Sequence, residues 1–316
     1  MIRTILRRLA NLVPVWLGVS LLVFALGVLA PGDPAEALLQ RRTGEPPTQQ
    51  AVLEMRHQLG LDAPLPVRYA RWLLAAVQGD LGVSLRTGAP VISDLRERFP
   101  ATLELSLSAL LLGLGIALPL GVGAAARAGS LLDHAARLFA IAGSSIPTFF
   151  SGYVLILLFS VTLHWLPVAG RGGVSHLVLP ATTLALGFAA ALARLTRAAL
   201  LEELGEDYVR TARAKGLPER TVVLKHALRI ALVPVVTFAT TRFGHLLAGA
   251  AVVETVFGWP GIGKHIVDSI YDRDYPAIQG FVLFMGTVFV ALHLAVDLVY
   301  PAIDPRVGAR ERSWAG

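Results

Sequence analysis

The stretch Gly258-Trp259-Pro260-Gly261-Ile262-Gly263-Lys264 has the G-x-x-x-x-G-K spacing of a loop that cradles phosphates, and Val252–Phe257 stands where its strand would be. His265 follows where a magnesium-bound nucleotide needs a Ser or Thr hydroxyl, so the spacing alone makes no nucleotide site. Gly82-Val83-Ser84-Leu85-Arg86 lacks the final Gly of a nucleophile elbow, and no H-E-x-x-H occurs among the eight dispersed histidines. With no cysteine, disulfides, thiolate metal sites and a cysteine nucleophile are excluded. No catalytic residue, metal-ligand set or cofactor-binding residue is predicted, and the chain is not expected to be an enzyme.

One polar pair is different. Arg242 and His245 lie three apart within an apolar run, hence on one face of a helix, and a charge at membrane depth must face a cavity or a partner. They are candidate pathway-lining residues, able to meet a carboxylate and an amine; a structural pair with an acid on a neighbouring helix is the alternative. Gly244 and Ala248 form a small-x-x-x-small pair suited to close helix packing. Pro119 with Gly121, and Gly143-Ser144-Ser145 before Pro147, predict kinks. Glu104, Glu254 and Asp297 fall near span ends and are expected only to anchor interfaces.

The elements that position these residues follow from composition. Hydrophobic residues make up 54% of the 316 and charged residues 16%, against roughly 25% charged in a soluble domain. The apolar residues come in unbroken blocks rather than in the period-3.6 or period-2 patterns of a soluble core, so lipid is the solvent. A bilayer core of about 30 Å needs about 20 apolar helical residues. Six stretches fit: Leu9–Ala30, Ala101–Ala124, Leu138–Leu163, Leu177–Ala193, Ala231–Val252 and Gln279–Tyr300. The first, preceded by Arg3, Arg7 and Arg8, also describes a signal peptide; it is longer than the core of about 7–15 residues such a peptide carries, and Pro31 after Ala30 makes a poor cleavage site.

Basic residues in short loops mark the cytoplasmic side. An inside N-terminus puts Arg127 and Arg137, then Arg197 through Arg229, then Arg306, Arg310 and Arg312 on that side, leaving Arg171, Lys264 and Arg273 in the short outer loops. The formal charge of +6 is thereby spread between apolar blocks, which fits no nucleic-acid surface. The expected division is a first span at 1–30, an external domain at 31–99, a core of the remaining five spans at 100–302 containing a cytoplasmic loop at 195–230, and a cytoplasmic tail at 303–316. Within the external segment, Leu59, Leu61, Trp72, Leu73 and Val77, interrupted by Pro64 and Pro66 and broken by Gly79 and Gly82, predict short packed helices.

The loop between the fourth and fifth spans, Glu202 to Arg229, reads as helix, break, helix. Acids from Glu202 open the first helix, Arg213 and Lys215 close it, Gly216 supplies a left-handed cap, and Pro218 fits the first turn of the second helix. Such a charged hairpin held between two spans can hand force to a cytoplasmic partner; a merely solvated loop is the plainer reading.

Asp207 to Gly216, followed by Lys225-His226-Ala227-Leu228-Arg229-Ile230-Ala231-Leu232-Val233-Pro234, resembles the permease signature of binding-protein-dependent ABC importers, with Thr211-Ala212-Arg213 where the ideal triplet is Glu-Ala-Ala. This variant is similar to the peptide and nickel importer branch. Pro31-Gly32-Asp33-Pro34, Leu59-Gly60-Leu61-Asp62, Gly79-Asp80-Leu81-Gly82, Pro100-Ala101-Thr102-Leu103-Glu104, Val253-Glu254-Thr255-Val256-Phe257 and Asp274-Tyr275-Pro276 extend the resemblance to the dipeptide/oligopeptide permeases over nearly the whole chain.

The resemblance implies an all-α integral membrane protein of the type I importer permease class, with six spans and a small external domain between the first two. It implies a coupling helix that docks on an ATPase subunit, carried by Asp207, Thr211, Ala212, Arg213, Gly216 and Pro218. It also implies a second homologous permease, two ATPase subunits that bind ATP and Mg, and an extracytoplasmic peptide-binding protein, in a bacterial inner membrane. The expected cargo is a di- or oligopeptide, with glutathione or nickel chelates open as alternatives. An ion-driven secondary transporter would show inverted repeats, and none is visible; a scaffold would not need the hairpin.

Overall fold

The computed structural model describes residues 2–29 and 32–303, with side chains at 13–29 and 32–295 apart from 37, 41 and 42. The described residues are helical almost throughout. The single strand-like feature among them is an isolated bridge between Val83 and Pro90, and Val252–Val256, the stretch that could pass for the strand of a phosphate loop, is helix. Two compact units divide the chain, one of the described residues up to Glu97 with Ile266–Leu294, the other of Arg98–His265 with the described residues from Ala295 on.

In the first unit, α1 (Ile2–Leu29) is followed by three short helices, α2 (Pro34–Thr43), α3 (Gln49–Gln58) and α4 (Leu65–Val77). Each begins where the sequence punctuates it. Asp33 caps α2 by accepting from the N–H of Ala35, Thr48 caps α3 by accepting from Ala51, and Pro64 precedes α4. Leu59 and Leu61, expected inside a helix, lie in the turn after α3. Helix α4 is pinned to α1 by Tyr69, whose hydroxyl is 2.8 Å from that of Ser20, and by rings of Tyr69 and Trp72 at 5.4 and 5.9 Å from Phe24. The start of α13 (Tyr275–Ile303) joins this unit: Asp274, fully buried, accepts from Ser84 and from the N–H groups of Arg86 and Ala277.

The second unit holds most of α5 (Val91–Ala126), then α6 (Leu131–Ser145), α7 (Thr148–Leu155) continuing as a π-helical turn to Thr162, α8 (Val174–Leu204), α9 (Asp207–Ala214), α10 (Glu219–Thr221), a π-helical turn at Val222–Ala227, α11 (Leu228–Val256) and the first residues of α12 (Ile262–Tyr271). Its core is a small-residue seam. Leu105, Ala109, Ala117, Ala185, Ala189, Leu192 and Ala250 are wholly buried, and there is no room for a Cβ at Gly121 against Thr196 or at Gly143 against Ala190. Close approach of backbones replaces the bulky core of a soluble protein.

Among the described residues, four helices are long and apolar enough to cross a membrane, and up to six if each of two bent pairs is one span. Helices α5 and α8 pass unbroken through Pro119 and Pro180. The third expected span, Leu138–Leu163, is not continuous: α6 and the α7 segment meet at 107°. The cause is local. Pro147 cannot donate and forces Ile146 to an extended ψ of 124°, ending α6 one residue earlier.

Candidate functional site

The hairpin between α8 and α11 differs from expectation in where it starts. Glu202 and Glu203 end α8, and the first hairpin helix, α9, opens at Asp207 after Glu206. The helix dipole is still matched by charge, with Asp207 in the first turn and Arg213 in the last. Gly216 adopts φ +76°; its N–H bonds the carbonyl of Arg213 at 2.9 Å and that of Leu217 reaches Ala212 at 3.4 Å, which is the paired closure of a left-handed helix cap. Pro218 lies one residue before α10 rather than in its first turn.

What seats α9 is apolar. Val209 and Ala212, three apart, are buried against Ala199, Leu200, Val222, Val223, Ala227 and Ala231. Asp207, Arg210, Thr211, Arg213, Gly216 and Pro218 face outward. The outward groups are tied mostly to the hairpin itself. Arg213 forks onto Glu219 at 3.1 and 2.6 Å, Thr211 bonds back to the carbonyl of Asp207, and the Asp207 carboxylate, 95% exposed, meets Arg210 at 3.3 Å. Tyr208 donates to Glu203 at 2.6 Å; burial, then that bond, pushes its phenol above the ordinary tyrosine value.

The sequence did not announce the brace beside the hairpin. Asp133, 1% exposed, accepts from Arg197 on α8 and from the N–H of Gly129, with Arg137 at 3.7 Å. The charge-derived topology had Arg137 and Arg197 on one side of the membrane, but nothing in the spacing singled out Asp133 as their common partner.

At the other end of α11 the turn at 257–264 folds back, and here Glu254 overturns the expectation of an interfacial anchor. It is fully buried, accepting from Thr102 at 2.6 Å and from the N–H of Lys264 at 2.8 Å, while Thr102 accepts from Ile262. Trp259, also fully buried, donates its indole N–H to the carbonyl of Ala101. A Cβ at Gly261 would lie within 2.1 Å of Glu254, and one at Gly263 within 2.5 Å of Ala251. The glycines of the phosphate-loop spacing thus serve close packing. Glu104 pairs with Arg171, 3.0 Å from its Nε; the side chain of Asp297 lies outside the described residues.

Arg242 and His245 line one cavity of about 690 Å³ with Leu195, Val233, Pro234, Thr237, Phe238 and Thr241. The guanidinium sits 5.1 Å from the centre of the Phe238 ring, and among the described residues it meets no acid. Gly244 is buried but Ala248 is exposed, so the pair does not pack as one seam within the chain. Among the described residues no group of three or more His, Asp or Glu side chains is placed to hold a metal.

Residues 117–309 match the family model of binding-protein-dependent transport system inner membrane components, and residues 1–106 match the model for the N-terminal part of such components. The chain is 44% identical to the di/tripeptide transport system permease protein DppB of Pseudomonas aeruginosa (strain UCBPP-PA14), over 97% of this chain and 99% of that protein. It is 41% identical to the glutathione transport system permease protein GsiC of Escherichia coli (strain K12), again over 97% and 99%. Among solved structures, the inward-facing MetNI methionine ABC transporter superposes with TM-score 0.54 at 23% identity, covering 66% of this chain and 96% of the other, a likeness of fold. With the two models matched over most of its length, a helical bundle of the same fold and a seated hairpin between the fourth and fifth spans, the chain belongs to the binding-protein-dependent transport system inner membrane components: it is a multi-pass inner-membrane permease subunit of an ABC importer.

Proposed function

We propose that this subunit forms half of an import pathway for di- or oligopeptides and receives its driving motion through α9. The observation that carries the reading is the two-sided build of that helix: Val209 and Ala212 fix it to α8 and α11, while its charged rim faces away from the bundle. A short helix held this way moves with the spans it is packed on. The rim, with the turn at Gly216 and Pro218, is the contact for one of two cytoplasmic ATPase subunits, which carry ATP and Mg and perform the hydrolysis. A second, homologous permease completes the pathway, and an extracytoplasmic binding protein delivers cargo.

In this arrangement both termini and the hairpin are cytoplasmic and residues 31–99 lie outside. Closure of the ATPases draws the two coupling helices together and shifts the bundle toward its outward-open state. The cavity at Arg242 and His245 offers a cation and an imidazole to the ends of a zwitterionic peptide. The relatives named for di/tripeptide and for glutathione transport support small peptidic cargo, with glutathione as the second reading.

A chain without cysteine gives a direct test. Arg210→Cys introduces a lone thiol on the exposed rim. A bifunctional thiol reagent should join it to an ATPase subunit, and a membrane-impermeant maleimide applied to intact cells should not reach it. Labelling from outside, or purification without any ATPase, overturns the reading. Competition of labelled dipeptide uptake by glutathione separates the two cargo assignments, and Arg242→Gln should reduce uptake while leaving the hairpin's cross-link intact.

A further inference from the structure

The first unit encloses a second cavity, about 1020 Å³, walled by the last turns of α1, by α4, by the segment around residues 80–88 and by the start of α13. Its floor is apolar and aromatic, with Phe24 and Trp72. Its charge is chiefly basic. Arg68 and Arg71, one helical turn apart on α4, both line it, and among the described residues neither meets a carboxylate. Arg86 lines it as well, held 3.9 and 3.7 Å from Asp268 and Asp272.

The helices that build this cavity also expose apolar surface outward. On α1, Leu22, Leu26 and Leu29 are 66%, 66% and 79% exposed, as expected of a lipid-facing span. On α4, Leu74 and Val77 are 64% and 68% exposed although the segment holding them is short and lies outside the spans. A helix with one face packed by Tyr69 and Trp72 and the other apolar and bare is suited to lie in the boundary between water and hydrocarbon. A cavity under such a helix, beside the end of a span, sits where a phosphate head group and the first methylenes of its chains occur together. Guanidinium groups without a carboxylate partner are matched to phosphate oxygens, which they bind in a fork.

We propose that this cavity holds an anionic phospholipid of the outer leaflet, its phosphate on Arg68 and Arg71 and its upper chains against Phe24 and Trp72. The proposal rests on the topology given above, in which residues 31–99 are external. A lipid there would fasten α4 to α1 and set the outer end of the first span.

The test uses the full chain, purified in mild detergent with the subunits that accompany it. Bound lipid is extracted and quantified by mass spectrometry for the wild type, for Arg68→Gln/Arg71→Gln and for Arg68→Lys/Arg71→Lys. Losing two charge-assisted contacts should lower retained phosphatidylglycerol about tenfold or more in the Gln pair, with the Lys pair intermediate and phosphatidylcholine unchanged in all three. In vesicles, phosphatidylglycerol should raise the unfolding temperature of the wild type more than that of the Gln pair. Equal retention in wild type and Gln pair overturns the proposal, as does stabilisation by inorganic phosphate alone, which would assign the cavity to the free anion. If the Gln pair fails to assemble, the Lys pair and the vesicle titration of wild type decide by the same criteria. ATP-driven uptake by wild type without lipid selectivity would sink this inference and leave the transport reading standing; loss of the ATPase contact would do the reverse.

Discussion

The two ends of α11 are both turned by glycine, and they are built on opposite plans. At the 257–264 turn the polar groups are inside: Glu254 and Trp259 are fully buried and bonded across to Thr102 and Ala101 on α5. At the hairpin the apolar groups are inside and the polar ones face out, bonded mostly to one another. Gly261 and Gly263 are needed because there is no room for a side chain; Gly216 has open space around it and is needed for its φ of +76°. The first plan locks a turn to its neighbours. The second seats a helix and leaves its charged rim exposed.

Substitutions can break or sharpen this contrast. Gly263→Ala should do the most damage, because its Cβ would meet the Ala251 backbone at 2.5 Å and nothing flexible can yield; little or no folded complex should be recovered from membranes. Glu254→Ala comes next. It leaves the Thr102 hydroxyl and the Lys264 N–H buried without an acceptor, at about 1–3 kcal/mol each, so the melting temperature of the purified complex should fall clearly, and by less for Glu254→Gln, which keeps one acceptor. Equal melting of all three proteins would show that the buried contacts are not what holds the turn.

At the other end the expected losses are smaller and functional. Gly216→Ala costs about 1–2 kcal/mol for a left-handed residue with a Cβ; the complex should assemble, while peptide taken up per ATP hydrolysed drops because the outward rim is re-aimed. Tyr208→Phe removes one bond to Glu203, about 1 kcal/mol. Since the folded phenol titrates above its ordinary value of 10.0, this contribution is fully present below that pH and is lost only as pH rises through the raised folded value. The difference in melting between wild type and Tyr208→Phe should therefore be constant across neutral pH; a difference that vanished there would remove Tyr208 from the hairpin's seat.

Where the sequence was readable, the reason was a periodic or local signal. Apolar blocks marked the spans, Gly216 marked its own cap, and Pro147 after three small residues marked the break. What escaped was set by partners far along the chain. Glu254 looked interfacial because it stands near a span's end, and only the approach of Thr102, 152 residues away, makes it a buried acceptor. Asp133 was invisible for the same reason, its partner Arg197 lying 64 residues on. The start of α9 was misplaced because Glu202 and Glu203 suit a first turn as well as they suit the exposed end of α8.

The angle between α6 and α7 has a consequence for biogenesis. Pro147 interrupts the helical ladder, and residues 144–150 are exposed on this chain, whereas lipid tolerates interrupted backbone only where protein or water covers it. In the assembly proposed above, a newly made copy that has not met its companion permease is thus a poor resident of the bilayer. Its lifetime in the cell should track the supply of that companion, with orphaned chains cleared by membrane proteases.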